Sequence, residues 1–124
     1  MVDLSVTTFL PAGPSAPRRA RDVVAAALRD AGLRNTERDA VLLVSELVTN
    51  AIRHADSDVM IAVDQTEDRV RFSVTDFGPG WPVRQPPDGQ GGGYGLQFVD
   101  AVATNWGAYR IGDGKTVWFE LPAS

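Results

Sequence analysis

At 124 residues, with 44% hydrophobic and 23% charged side chains, the chain reads as one globular domain over residues 1–124 that can bury a core unaided. It holds no cysteine and one histidine, His54, which excludes a disulfide framework, a thiolate zinc site and a histidine-built metal centre. A net charge of -4 leaves no footprint for nucleic acid, and with no signal-peptide pattern or roughly 20-residue apolar run the expectation is a cytoplasmic protein without membrane attachment.

Residues 4–10 (LSVTTFL) are rich in β-branched and aromatic residues and read as a strand that stops at Pro11. A helix follows from about Pro17 to Ala31, with Ala20, Val23, Val24, Ala27 and Leu28 at helical spacing and Gly32 as its stop. Its basic cluster, Arg18, Arg19 and Arg21, fits a solvated face. Thr36 reads as the N-cap of a second helix ending near Ala55. Steps of 100° put Ala40, Val41, Val44, Leu47, Val48, Ala51, Ile52 and Ala55 on one apolar arc, with Glu46, Asn50 and Arg53 facing away.

Residues 58–64 and 69–75 alternate as strands of an antiparallel hairpin joined by QTED. From Phe77 to Gly93 the chain is too rich in glycine and proline for a regular element, and a loop of that length inside a domain is usually functional. Helical spacing returns at Leu96, Phe98, Val99 and Val102, and stretches 105–111 and 116–121, joined by GDGK, finish the chain as strands. The order β, α, α, β, β, loop, α, β, β predicts an α+β fold with helices on one face of a mainly antiparallel sheet.

Three places carry possible chemistry. Glu46 and Asn50 are spaced i, i+4, so a carboxylate lies beside an amide on one helix face. Such a pair can deprotonate a hydroxyl and complete a magnesium shell, while a solvated face accounts for the spacing equally. Asp76-Phe77-Gly78-Pro79-Gly80 follows a strand; it suits recognition of a donor such as an exocyclic amine, or an ordinary turn. The run Gly89-Gln90-Gly91-Gly92-Gly93-Tyr94-Gly95-Leu96 leads into a helix and offers backbone N–H groups to an anion, or plain flexibility. Gly114-Lys115-Thr116 is not the end of a P-loop, because Tyr109 stands where the leading glycine is required and VWFEL is a strand pattern. His54 reads as a helix C-terminal partner, and Trp106 and Trp118 as packing residues, with Trp81 a candidate loop anchor.

Taken in order, SELVTNAIRHA, DFGPG, GGGYGL and GKTVWFEL resemble the motifs of the histidine-kinase-like ATPase superfamily, and the short form is similar to bacterial anti-sigma-factor serine/threonine kinases. The resemblance runs from Leu4 to Leu121 and implies a two-layer α/β sandwich that binds ATP and Mg2+ beneath a glycine-rich lid. It implies Glu46 as the catalytic base and Asn50 as the magnesium ligand. Asp76 would bind the adenine amino group, with Gly78 and Gly80 shaping that pocket and Thr116 near the adenine. Gly91, Gly93 and Gly95, leading into Leu96, resemble the glycine box that closes over the phosphates. The implied partners are a sigma factor and a small antagonist protein that is phosphorylated, and a homodimer is compatible with the family. The alternative is a nucleotide-gated binding module without kinase activity. Tyr94 stands where relatives often carry a basic residue, so Mg2+, backbone N–H groups or Arg84 would have to meet the phosphate charge.

Overall fold

The computed structural model describes residues 4–78 and 94–124. Its elements follow the expected order: β1 (Ser5–Leu10), α1 (Ala16–Asp30), α2 (Arg34–Ala55), β2 (Val59–Thr66), β3 (Arg69–Asp76), α3 (Tyr94–Val102), β4 (Asn105–Ile111) and β5 (Gly114–Pro122). The strands form one sheet in the order β1-β2-β3-β5-β4, every pairing antiparallel. Period-two alternation assigns each strand a buried face. Val59, Ile61 and Val63 of β2, Val70, Phe72 and Val74 of β3, and Val117, Phe119 and Leu121 of β5 all enter the core. Phe72 and Phe119 are register partners whose rings stack with centroids 4.9 Å apart. Each contributes about 1.5–3 kcal/mol through burial.

The helices cover that face with the stripes their spacing predicts. Ala20, Val24 and Leu28 of α1, Ala40, Val44, Leu47 and Val48 of α2, and Leu96 and Val99 of α3 belong to the same core. Leu43, outside the predicted arc, is fully buried, while Val41, Ile52 and Ala55 are half-buried, so the true arc is rotated slightly toward Leu43. α1 ends as expected at Gly32, whose φ of 76° allows Gly32 N–H and Leu33 N–H to turn back onto the Arg29 and Leu28 carbonyls. Arg21 donates to Ser45 at 2.9 Å and Arg29 pairs with Glu37 at 2.7 Å, tying α1 to α2.

The start of α2 differs from the expectation. The helix begins at Arg34 with Leu33 at the cap position, and Thr36 lies in the first turn. The Thr36 hydroxyl instead donates to the Pro122 carbonyl at 2.9 Å and accepts from Ser124 N–H at 3.0 Å. The orphan N–H groups of Asn35 and Thr36 are satisfied by the Ser124 carbonyl. The cap is supplied across the fold by the exit of β5, which local spacing does not reveal.

Both hairpin links are tighter than expected. β2 and β3 pair through Thr66 and Arg69, leaving Glu67 and Asp68 as a two-residue turn with Glu67 at φ 55°. β5 starts at Gly114 rather than Thr116, after a turn at Gly112 and Asp113. The second difference converts Lys115 from a turn residue into a strand residue with a defined facing. Among the described residues, no helix is long and apolar enough to cross a membrane.

Candidate nucleotide-binding site

β3 alternates Val70, Phe72 and Val74 toward the helices, and the next residue of that parity is Asp76. The apolar stripe therefore terminates in a carboxylate at the end of a central strand, 3% exposed. Its Oδ1 accepts from the Gly78 N–H at 3.3 Å, and its Oδ2 pairs with Lys115 Nζ at 2.7 Å. Lys115 is the register partner of Asp76 on β5. Gly78 presses on the last turn of α2: a Cβ there would sit 2.6 Å from the Ala55 carbonyl oxygen and 2.9 Å from the Ala55 Cβ. Only hydrogen fits between the two backbones. The chain then leaves β3 held by Phe77 N–H donating to Ser57 Oγ at 3.0 Å.

That contact locates the polar face of α2. Glu46 and Asn50 lie half-buried on one side of the helix, and Asn50 precedes Ala55 by about 7–8 Å along the axis. Arg53 and His54 are exposed in the last turn of the helix. The helix closes with Asp56 at φ 48°.

The structure thus brings Asp76 and Gly78 to the end of the helix that carries Glu46 and Asn50. It does not bring Thr116 there. Strand parity puts Thr116 on the opposite face of the sheet from Asp76, where its hydroxyl bonds the Thr75 hydroxyl at 2.7 Å. The residue of β5 beside Asp76 is Lys115, which the GDGK pattern assigns to a turn. The signal that could have found it is the alternation Val117, Phe119, Leu121 extended back by one step. Leu96 is 3% exposed and packed in the core, so its side chain seats α3 and does not line an open site. Gly95 falls within α3. Gly80, Gly91, Gly93, Trp81 and Arg84 lie outside the described residues.

The other sheet face carries a second cluster. Burial would push the Glu120 carboxyl up, but hydrogen bonds from Asn105 and Arg71 and the charges of Arg71 and Arg69 outweigh it and hold it below its ordinary value. The Arg71 guanidinium also lies 4.0 Å over the Trp118 ring. Trp106 donates to Asp100 at 2.9 Å, linking β4 to α3. Both tryptophans pack within the fold, as expected.

The sandwich of three helices on a five-stranded antiparallel sheet, with an acidic strand end against a long helix, is that of an ATPase domain of the histidine-kinase type. The chain matches the histidine kinase-like ATPase domain family over residues 10–121 and belongs to that family. A similar solved structure is that of the RsbU and RsbW domains of Rv1364c from Mycobacterium tuberculosis. At 22% identity it superposes with a TM-score of 0.70, covering 96% of this chain and 33% of that one. The histidine kinase domain of the blue-light-activated histidine kinase EL346 from Erythrobacter litoralis is 29% identical. It has a TM-score of 0.54, covering 71% of this chain and 45% of that one. This chain therefore spans less than half the length of either. No curated protein matches it.

Proposed function

We propose that this domain binds ATP with Mg2+ and acts as a protein serine/threonine kinase of the anti-sigma-factor type, phosphorylating a small antagonist protein and sequestering a sigma factor. The observation that carries the nucleotide reading is the buried Asp76 carboxylate at the end of β3, set by Gly78 against the helix of Glu46 and Asn50. A carboxylate there accepts from the exocyclic amine of a base. Among the described residues no group of three or more His, Asp or Glu side chains could hold a metal. In this reading Asn50 contributes one oxygen, and the nucleotide's phosphates and water supply the rest of the magnesium shell. A bound Mg2+ would supply positive charge for the transferred phosphoryl group, and Glu46 would orient and deprotonate the acceptor hydroxyl. The RsbW domain in the similar mycobacterial structure supports the anti-sigma direction.

The second reading, a nucleotide-gated module that sequesters a partner without phosphorylating it, is favoured by Tyr94 at the head of α3, where the resemblance leads one to expect a cation. Calorimetric titration with ATP, with and without Mg2+, tests the shared part: Asn50→Ala should weaken the Mg2+-dependent binding at least tenfold. Glu46→Gln should retain ATP and abolish phosphate transfer to a co-purified partner. No binding by the wild type sinks both readings; binding without transfer in the wild type leaves the module.

A further inference from the structure

Asp76 is not a lone acceptor at the end of β3. Lys115 lies directly opposite it across the β3–β5 ladder, with Nζ 2.7 Å from Oδ2 and both side chains less than 10% exposed. The pair shares the helix-facing side of the sheet with Val74 and Val117, so both heads point toward the layer that holds α2. After accepting from Lys115 and Gly78, the carboxylate still has lone pairs to offer, and the ammonium has further N–H donors beyond the one used on Asp76. The strand end therefore displays an acceptor and a donor side by side.

That pattern changes which bases fit. A lone carboxylate accepts from the adenine 6-amino group but meets the 6-oxo group of guanine or hypoxanthine oxygen against oxygen, which rejects it. An ammonium beside the carboxylate replaces that repulsion with a hydrogen bond: Lys115 donates to O6 while Asp76 accepts from the adjacent ring N–H. With adenine the roles exchange, Asp76 accepting from the 6-amino group and Lys115 donating to the ring nitrogen N1; the order along the base edge reverses, and the flexible lysine stem makes the exchange by swinging its ammonium to the other side of the carboxylate. We infer that Lys115 is a second base-reading residue, and that the Asp76–Lys115 pair admits 6-oxopurine nucleoside triphosphates as well as ATP. The inference rests on the reading above that Asp76 meets the base.

The test is equilibrium competition of ATP, GTP and ITP against a fluorescent ATP analogue at constant Mg2+, on the wild type and on Lys115→Met, Lys115→Thr and Lys115→Arg. In the wild type, GTP and ITP should bind within about tenfold of ATP. Loss of one hydrogen bond from a charged donor corresponds to about 10–100-fold. The Met and Thr variants should weaken GTP and ITP by that factor relative to ATP, while Arg keeps the wild-type ratio. ATP bound with GTP and ITP more than 100-fold weaker in the wild type overturns the role of Lys115 and leaves the ATP reading standing. An unchanged GTP-to-ATP ratio in either neutral variant that melts cooperatively does the same. Should neither variant fold, the wild-type ratio decides alone. Wild-type protein that binds none of the three removes the ATP reading and this inference together.

Discussion

Two cross-strand ion pairs sit on the same β3–β5 ladder. Asp76 faces Lys115, and Arg71 faces Glu120, each pair in direct register. Arg71 and Asp76 differ by an odd number of residues, so the pairs occupy opposite faces of the sheet. The first is closed between sheet and helices, with side-chain exposures of 4% and 9%. The second is open on its cationic side: Arg71 is 48% exposed over a Glu120 carboxylate that is 11% exposed, and Glu120 also takes Arg69 at 3.4 Å and Asn105 at 3.2 Å. The same functional groups thus do different work. Buried, a pair is costly to break and able to meet a ligand's polar edge; at the surface it clamps β3, β4 and β5 with small, screened contributions.

The sharpest way to break this contrast is to remove one buried partner. Asp76→Ala leaves the Lys115 ammonium enclosed without its carboxylate, and the unfolding free energy in urea should fall by about 3–5 kcal/mol. A loss under about 1 kcal/mol would make the buried pair equivalent to the surface one. Next in size is the contact that seats Asp76. Gly78→Ala forces a Cβ against Ala55, and overpacking of this kind costs about 1–3 kcal/mol. An unchanged melting temperature would mean that the β3 exit and the end of α2 can part freely.

The smallest effect belongs to the surface cluster. Glu120→Gln should cost no more than about 1 kcal/mol at neutral pH, and that cost should depend on pH. The folded Glu120 carboxyl lies below its ordinary value of 4.5, so the charged form is the one the fold favours. Its contribution is present above the ordinary value and is lost as pH falls through the lower folded value. Denaturant melts at successive pH values should show wild type and Glu120→Gln converging on the acid side. A gap that persists in strong acid would assign the effect to the packing of the side chain and not to its charge.

Much of this was legible from local pattern. Alternation marked β2 and β3, helical spacing marked α1 and most of the buried face of α2, and i, i+4 spacing placed Glu46 beside Asn50. Asp76 stood out because a carboxylate followed by glycine ended an apolar strand. The differences between local pattern and fold have one cause. Thr36 looked like a cap because its type suits one, yet its partners are Pro122 and Ser124 at the far end of the chain. Thr116 is a site candidate through the resemblance of GKTVWFEL, whereas the strand start at Gly114 puts Lys115 on the Asp76 face and Thr116 on the other.

Sequence by itself determined the element order, the apolar faces and the residue types at the strand end and on α2, because these depend on period and propensity within a few turns of chain. Tertiary structure alone decided which cation meets Asp76, what caps α2 and which arginines hold Glu120. Those contacts join β5 to strands and helices distant in sequence, and a shift of one residue in a strand's start or register reverses the face of every side chain it carries.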